Sequence, residues 1–354
     1  MKTSLIEPSE PTSRAAPLCP VFGTCGGCAY QDLSYEEELA LKERNLRAMF
    51  HSRLEIREDG FAPIVASPEP YHYRSRLDLS LKRSRQSGML LGFQKPGSRR
   101  MVEVDACAIA LPGISNFLPQ LKAAAAAKLP ADYRHANLVV KSGDGGEVLW
   151  GGIGRRSLEL DEKDYLWTEI RGKRIFYSLD VFFQANLSIL PALMDQMESL
   201  AQVDRRTLFL DLYAGVGLFG IYFGGRAGKV VMIEENAASL KLMRWNAAYH
   251  GLHGADIRSA KVETELPALM ETLRWEGRRA AVVDPPRRGL SPQVREILGA
   301  AGNLDQLLYL SCNPETLLGD LKFLTAKGWN IRKVVPFDFF PKTVHLETLV
   351  LLTP

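Results

Sequence analysis

Cys312 follows an apolar run and precedes a proline in the stretch YLSCNPETL, residues 309–317. The run LLYL predicts a buried strand that ends at Ser311, and Pro314 does not allow that strand to continue. A thiol on such a rigid element is well placed to act as a nucleophile. Free cysteine is also among the residue types most often buried, so an inert core thiol is the alternative interpretation.

Two side chains near the C-terminus can accept a proton. In FPKTVHLETLVLL, His345 and Glu347 are two residues apart, and at this spacing in a strand they point to the same face. Either residue can act as a base or as a structural hydrogen-bonding group. The spacing alone leaves the choice between them open.

Four of the five cysteines indicate metal binding rather than disulfides. Cys19, Cys25 and Cys28 form a C-x5-C-x2-C cluster in a glycine-rich loop, and Cys107 lies far downstream. The odd number of cysteines and the polar N-terminus argue against a secreted disulfide framework. Four thiolates suit zinc or an iron–sulfur cluster, and free surface cysteines are the third interpretation.

The order of the predicted elements divides the chain into segments. Residues 176–354 alternate strands with helices, which predicts a doubly wound parallel sheet with an antiparallel final strand. Residues 61–175 have the alternation and the glycine turns of a β-rich domain. Residues 18–60 combine the cysteine loop with a capped helix over 34–50, and residues 1–17 are predicted to be a flexible tail. The fold class is α/β.

A glycine-rich turn in LDLYAGVGLFG predicts a cofactor site after the first strand of the alternating region. Gly215 and Gly217 allow a tight turn and a close approach of the backbone to a ligand, and Gly220 completes a G-x-G-x-x-G pattern. Glu234 ends the next strand, at a spacing suited to ribose hydroxyls. NAD and S-adenosylmethionine fit these residues equally well, so an NAD-dependent oxidoreductase is an alternative here.

The loop after the fourth strand favours methyl transfer. It begins Asp284-Pro285-Pro286, at the edge where open α/β sheets bind ligands. Two prolines hold this loop rigid and remove two N–H groups, for which hydride transfer offers no reason. Simple termination of a strand is the alternative interpretation of the proline pair.

Five motifs then occur in order, namely DVFFQAN, LDLYAGVG, DPPRRG, SCNPETL and FPKTVHLET. Together they resemble the RNA uracil-C5 methyltransferase family, which forms 5-methyluridine with S-adenosylmethionine, and the resemblance extends from Cys19 to the C-terminus. It implies that Cys312 is the nucleophile and that Glu347 removes the C5 proton. RNA cytosine-C5 methyltransferases carry a cysteine in the loop that here reads DPPRRG, so uracil is favoured.

The resemblance also implies a set of cofactor-binding residues in a Rossmann-like catalytic domain. These are Gln184, Tyr213, Gly215, Gly217, Glu234 and Asp284. One position departs from the family pattern, because Lys261 stands where an asparagine or aspartate usually contacts adenine.

Many rRNA-modifying members of the family hold a 4Fe–4S cluster with the cysteine pattern seen here. The resemblance therefore implies that Cys19, Cys25, Cys28 and Cys107 bind such a cluster. The eighteen residues before Cys19 are too few for the β-barrel RNA-binding module of larger relatives. We accordingly expect 23S rRNA as substrate, with a tRNA uridine-54 as the second choice. A non-catalytic iron–sulfur RNA-binding protein is an alternative from another class. We expect a cytoplasmic monomer with no membrane segment.

A basic segment between residues 71 and 100 predicts contact with RNA. Eight basic residues and one acidic residue give it a net charge of +7, whereas the whole chain carries +3. Such local asymmetry suits phosphate, although a solvated strand face is the alternative. Tyr71, Tyr73 and Phe93 are predicted to stack on bases. The basic residues are Arg74, Arg76, Lys82, Arg83, Arg85, Lys95, Arg99 and Arg100.

Overall fold

The computed structural model describes residues 15–84, 88–98, 100–128, 134–152, 164–272, 274–300, 302 and 304–354. Arg85, Arg99 and most of the predicted tail lie outside these residues. Within the described residues, no helix has the length and apolar character needed to cross a bilayer.

The predicted helices and strands occur in the predicted order, together with elements that were not predicted. The helices are α1 (Tyr35–His51), α2 (Pro112–Lys128), α3 (Leu190–Ala201), α4 (Leu218–Gly224), α5 (Ala237–Tyr249), α6 (Val262–Thr272), α7 (Pro292–Gly299) and α8 (Pro314–Ala326). The strands are β1 (Arg76–Ser84), β2 (Gly88–Gln94), β3 (Met101–Glu103), β4 (His135–Ser142), β5 (Val148–Gly152), β6 (Leu166–Ile170), β7 (Lys173–Tyr177), β8 (Leu208–Leu212), β9 (Lys229–Glu234), β10 (Asp256–Ser259), β11 (Arg279–Val283), β12 (Gln306–Ser311), β13 (Asn330–Phe337) and β14 (Glu347–Thr353).

A seven-stranded sheet in the order β10-β9-β8-β11-β12-β14-β13 carries the C-terminal half. The first five of these strands are parallel, and β14 is antiparallel to both β12 and β13, as predicted for the final strand. The strand order reverses between β8 and β11, which is the switch point where such sheets bind ligands. The loops that begin after Leu212 and after Val283 therefore face one crevice.

Helices cover both faces of this sheet because its central strands are apolar on both sides. In β8, Phe209 belongs to one core with α3, α4 and α5, whereas Leu208 and Leu210 belong to the other core with α1, α6, α7 and α8.

Strand β13 was not predicted from the sequence. Arg332 and Lys333 interrupt its apolar pattern, and the strand bulges between Ile331 and Lys333.

The central β-rich segment forms an antiparallel sheet in the order β3-β2-β1-β4-β5. Leu77, Leu79 and Leu81 of β1 alternate onto the face that packs against α2. The hairpin β6–β7 is separate from this sheet, and its Leu166 and Ile175 pack into the core of the seven-stranded sheet. The predicted domain boundary between residues 175 and 176 thus lies inside β7.

Helix α1 begins where its cap predicts. The Ser34 hydroxyl accepts a hydrogen bond from the backbone N–H of Glu37 at 3.3 Å. The helix packs onto the catalytic half, because its Leu46 and Phe50 lie in the same core as β8. The helix therefore packs against the seven-stranded sheet.

Candidate active site

Cys312 lies in the turn between β12 and α8, at the edge of the sheet that faces the crevice. Asn313 fixes this turn in two ways. Its side-chain oxygen caps α8 by accepting from Glu315 N at 3.2 Å, and its Nδ2 donates to Arg287 O at 2.9 Å. The second bond ties the cysteine turn to the loop DPPRRG. The thiol is therefore positioned by backbone and cap rather than by its own packing.

The charge environment of Cys312 opposes ionisation of the thiol. Burial raises the pKa of Cys312 to about 11, and the carboxyls of Glu347 and Asp284 push it in the same direction. The guanidinium of Arg287 is positively charged and lowers the pKa of the thiol. Without a ligand the thiol is thus protonated at neutral pH. The loop DPPRRG that contains Arg287 is one of the sequence motifs, but no role was predicted for this residue from the sequence.

Glu347 is the first residue of β14 and is 4% exposed. Burial raises its pKa well above the usual range, the nearby Asp284 adds to this, and Arg287 opposes it. Among the described residues, Glu347 Oε2 has no hydrogen-bond partner. The carboxyl is therefore free to exchange a proton with a ligand.

His345 does not share a strand face with Glu347, and that prediction is wrong. Strand β14 begins at Glu347, so His345 precedes it in an irregular segment. His345 is exposed, whereas Glu347 is buried. The alternation expected of a strand does not apply there, because residues 341–346 form turns, bends and irregular backbone.

Gln184 meets Asp284 across the crevice. Its Nε2 donates to Asp284 Oδ2 at 3.3 Å. Burial raises the pKa of Asp284 to about 7. Asp284 also raises the pKa values of the Cys312 thiol and of Glu347, so these predicted site residues are close enough to interact electrostatically.

The segment that carries Gln184 is held by the central sheet. Lys141 at the end of β4 is 1% exposed, and its ammonium donates to Ser178 O at 2.9 Å and to Val181 O. Burial lowers the pKa of Lys141 to about 7. Ser75, the residue before β1, donates from its Oγ to Ala185 O at 3.0 Å. In the sequence, Lys141 is a single charged residue within an apolar run, and no role is predicted for it.

The glycine turn after β8 has the geometry that its residues predicted. Tyr213, Gly215 and Gly217 have φ angles of 63°, 55° and 86°. A Cβ at Gly217 would lie 2.9 Å from Met243 Cγ, so a larger residue is excluded there as well as strained. Gly215 N donates to Glu234 Oε2 at 2.9 Å. Glu234 thereby shapes the turn itself.

Other contacts of Glu234 involve the start of α5. Its Oε1 accepts from Glu235 N at 2.9 Å and from Asn236 N at 2.7 Å. Oε1 thus uses both of its lone pairs, whereas Oε2 accepts only from Gly215 N and keeps one that a ribose hydroxyl can use. Lys261 stands just before α6, and its Nζ lies 4.0 Å from Glu235 Oε2. No contact in the structure tests its predicted place beside adenine.

Asp211 is a further acidic residue that sequence reasoning missed, although it is the one charged residue in the strand LFLDL. It is 1% exposed, and its Oδ2 accepts from Gly220 N at 2.7 Å. Among the described residues its Oδ1 has no partner. Burial raises the pKa of Asp211 to about 8, with added contributions from Asp284 and Glu234. Three carboxyls therefore lie around the switch point.

A cleft of about 280 Å³ opens on Cys312. One wall belongs to α1 and the opposite wall to Arg287 and the turn before α8. Val344 and His345 complete its rim. The N-terminal helix thus contributes directly to the surroundings of the cysteine.

The four N-terminal and central cysteines lie near one another. Burial raises the pKa of Cys28 to about 11; a hydrogen bond with Gln31 opposes this, and the thiols of Cys107, Cys25 and Cys19 add to it. However, in the part of the chain that the structure describes, no three or more His, Cys, Asp or Glu side chains form a group able to hold a metal ion. A metal centre is therefore not shown here.

One of the predicted base-stacking residues of the basic segment, Tyr73, is buried in the structure. Tyr73 is 1% exposed and its hydroxyl donates to Pro341 O at 3.0 Å, so the prediction that it stacks on bases is wrong. Arg76 pairs with Asp78 at 2.7 Å. Tyr73 precedes β1, and its hydroxyl reaches the segment before β14 through the bond to Pro341. Among the described residues of the basic segment, the exposed basic residues are Arg83, Lys95 and Arg100.

Comparison with known proteins identifies relatives along most of the chain. The profile of the tRNA (uracil-5-)-methyltransferase family matches residues 153–354. An uncharacterized RNA methyltransferase of Thermosynechococcus vestitus is 27% identical, over 99% of this chain and 86% of that protein. One of Thermotoga maritima is 28% identical, over 99% and 87%.

A solved structure shares the fold. The Pyrococcus abyssi tRNA (uracil-54, C5)-methyltransferase, determined in complex with S-adenosyl-L-homocysteine, superposes with a TM-score of 0.71. The match covers 92% of this chain and 86% of that one, at 23% identity. The α/β methyltransferase fold that the strand order suggests is therefore confirmed.

Proposed function

This chain belongs to the tRNA (uracil-5-)-methyltransferase family, and on that premise we propose that it methylates C5 of a uridine in RNA through a covalent bond between Cys312 and C6. One observation carries the proposal. Cys312, Glu347 and Asp284 converge at one edge of the sheet, where both carboxyls act on the thiol. The reaction needs one nucleophile and one proton acceptor beside the methyl donor.

The reaction uses these groups in sequence. The Cys312 thiol first loses its proton to solvent, and the resulting thiolate adds to C6 and converts the ring into an enolate. C5 then attacks the methyl group of S-adenosylmethionine, and S-adenosylhomocysteine leaves. Glu347 takes the C5 proton, the C5–C6 double bond is restored, and the C–S bond breaks with its electron pair returning to sulfur. The site is then ready for a new cycle once Glu347 releases its proton.

Arg287 is the group that favours the thiolate. Burial and two carboxyls keep the free thiol protonated, so the thiolate must form during the cycle. The guanidinium charge stabilises the negative charge on sulfur as it develops. Arg287 therefore has a role in activating the nucleophile.

The methyl donor binds on the other side of Asp284. S-adenosylmethionine carries a sulfonium and an ammonium group, and the three carboxyls Asp211, Glu234 and Asp284 suit such a cation. The turn at Gly215 and Gly217 lets backbone N–H groups approach the ligand. The full set of proposed cofactor-binding residues is Gln184, Tyr213, Gly215, Gly217, Glu234 and Asp284.

A ribosomal RNA is the proposed substrate. The preference for 23S rRNA rests on the cysteine pattern of residues 19–107. A tRNA uridine is the second candidate, supported by the family description and by the substrate of the Pyrococcus abyssi enzyme. Labelled methyl transfer to RNA from a strain lacking the gene, followed by mass mapping of 5-methyluridine, tests both. Label in cytosine, or no label in any RNA, would refute the proposed function.

The N-terminal segment is the proposed place of a 4Fe–4S cluster. Mutual proximity of the thiols of Cys19, Cys25, Cys28 and Cys107 supports this assignment, since four thiolates are a donor set that such clusters use. The C-x2-C loop also approaches the central sheet, because a Cβ at Gly26 would lie 2.0 Å from Pro96 Cγ. The cluster supplies no step of the reaction.

Metal analysis of anaerobically purified protein tests the cluster. About four iron atoms per chain are expected, with a brown colour. A result of about one zinc and no iron per chain would refute the cluster and indicate a zinc site on the same cysteines. Protein with neither metal would leave the four thiols without this role.

A further inference from the structure

One wall of the cleft over Cys312 belongs to a helix outside the catalytic half. Lys42, Asn45, Leu46 and Met49 of α1 line the cleft. Their spacing of three, four and seven residues places them on one face of the helix. A ligand that enters the cleft therefore meets α1 as well as the cysteine.

Among the α1 residues in this wall, Asn45 provides the polar group available to a ligand. The Lys42 ammonium donates to Glu38 Oε1 at 2.7 Å, Asp338 Oδ1 at 2.7 Å and Phe340 O at 3.1 Å. These bonds use all three N–H donors of an ammonium group. Asn45 is half-buried, and no residue in the described part of the chain hydrogen-bonds its carboxamide.

Helix α1 holds Asn45 in a fixed position. Glu38 and Lys42 are 0% and 3% exposed, and Lys342 adds a second ion pair to Glu38 at 3.1 Å. One turn further along α1, Leu46 is buried in the core of the seven-stranded sheet. Groups on such a rigid element lose little conformational freedom when they bind.

We propose that Asn45 hydrogen-bonds the edge of the nucleobase that enters the cleft of Cys312, so that the N-terminal helix takes part in recognition of the RNA. The inference rests on the proposed function, since the ligand is a nucleotide of the RNA substrate. A carboxamide places an acceptor beside a donor, which matches the paired groups on a base edge. Asn45 carries no charge, so it neutralises no phosphate.

Steady-state kinetics of Asn45→Ala test this contact. The probe is a stem–loop RNA that contains the uridine methylated by the wild-type protein. We expect KM for RNA to rise by roughly five- to hundredfold, the range for a good contact to a base edge, with kcat nearly unchanged. Asn45→Gln, which keeps the carboxamide, should recover part of the loss. Asn330→Ala replaces an exposed asparagine of β13 outside the cleft and should behave as wild type.

Two further measurements separate recognition from a structural defect. Binding of S-adenosylmethionine should stay within about twofold of wild type, because a folded catalytic half is enough for it. The salt dependence of RNA binding should keep its slope, whereas loss of a phosphate contact would reduce it. An active wild-type protein with an Asn45→Ala variant equal to Asn330→Ala would overturn the Asn45 assignment alone. A wild-type protein that methylates no RNA would overturn the proposed function and this inference with it.

Discussion

The turn at Cys312 and the loop of Cys19, Cys25 and Cys28 both present thiols, but the two segments differ in how their backbone is held. The Cys312 turn has a proline and the Asn313 cap, and a hydrogen bond joins it to the loop after β11. The N-terminal loop turns through residues of positive φ at Gly23 and Gly26, and its thiols approach one another without reaching a metal-binding arrangement.

This difference separates a nucleophile from a set of ligands. A nucleophile must be held in place before its substrate arrives, since a misplaced thiol lowers the rate directly. Metal ligands complete their arrangement when the metal binds, because the binding free energy contributes to folding of the site. Substitutions in the two regions should therefore change different measured quantities.

Removal of the nucleophile should give the largest effect. Cys312→Ala should lower the rate of methyl transfer by roughly 10⁴-fold or more, because no other group can form the adduct. Affinity for S-adenosylmethionine should change by less than about twofold, since the thiol is needed for activation of the uracil ring. Turnover of labelled methyl groups and equilibrium binding measure the two quantities. Normal methylation by this variant would exclude the covalent mechanism.

Glu347→Gln should stop the reaction at a later step. Methyl transfer precedes loss of the C5 proton, so a variant without the base remains bound to methylated RNA. A denaturing gel should show a protein–RNA band of reduced mobility, and the band should be absent in the double variant with Cys312→Ala. His345→Ala is the matched control, and we expect no such band from it. The reverse pattern would make His345 the base.

The arrangement of the catalytic half was predictable from the sequence because its elements are long, apolar and regularly spaced. The turn after β8 and the loop after β11 could be placed at one edge from strand order alone. Strand β13 was not predictable from the sequence, because Arg332 and Lys333 interrupt its apolar pattern. Short strands with charged residues give a weak periodic signal.

Residues that act through distant contacts could not be found in the sequence. Lys141 reaches Ser178 across the boundary between two sheets, and Asn45 reaches the cleft from an N-terminal helix. Neither contact follows from local spacing, because both depend on how separate elements pack. The prediction that His345 shares a strand face with Glu347 was wrong for a local reason, because the segment before β14 is irregular and lacks strand alternation.

Arg287→Ala should have an intermediate effect that follows from the pKa of the Cys312 thiol. The guanidinium lowers the pKa of the Cys312 thiol, so its removal raises that pKa further and reduces the thiolate fraction at neutral pH. One pKa unit corresponds to about a tenfold change in thiolate, and we expect kcat/KM to fall by roughly ten- to a hundredfold near pH 7.5. Because pH 7 and pH 9 both lie well below the thiol pKa of about 11, the loss should be nearly the same at these two pH values, while kcat/KM of both proteins rises with pH. A loss that differs severalfold between pH 7 and pH 9, or no loss, would show that Arg287 acts in another way.

Cys107→Ser should have the smallest effect on catalysis and the clearest effect on the metal. Cys107 lies far from Cys28 in sequence, so a cluster that joins them restricts the unfolded chain and stabilises the fold. The variant should lose its colour and iron and unfold at a temperature lower by several degrees, while S-adenosylmethionine binding stays within about twofold. Cys312→Ser is the matched control, because the same exchange there should abolish turnover and leave iron unchanged. Iron retained in Cys107→Ser, or lost in Cys312→Ser, would contradict the separation of the two thiol sites.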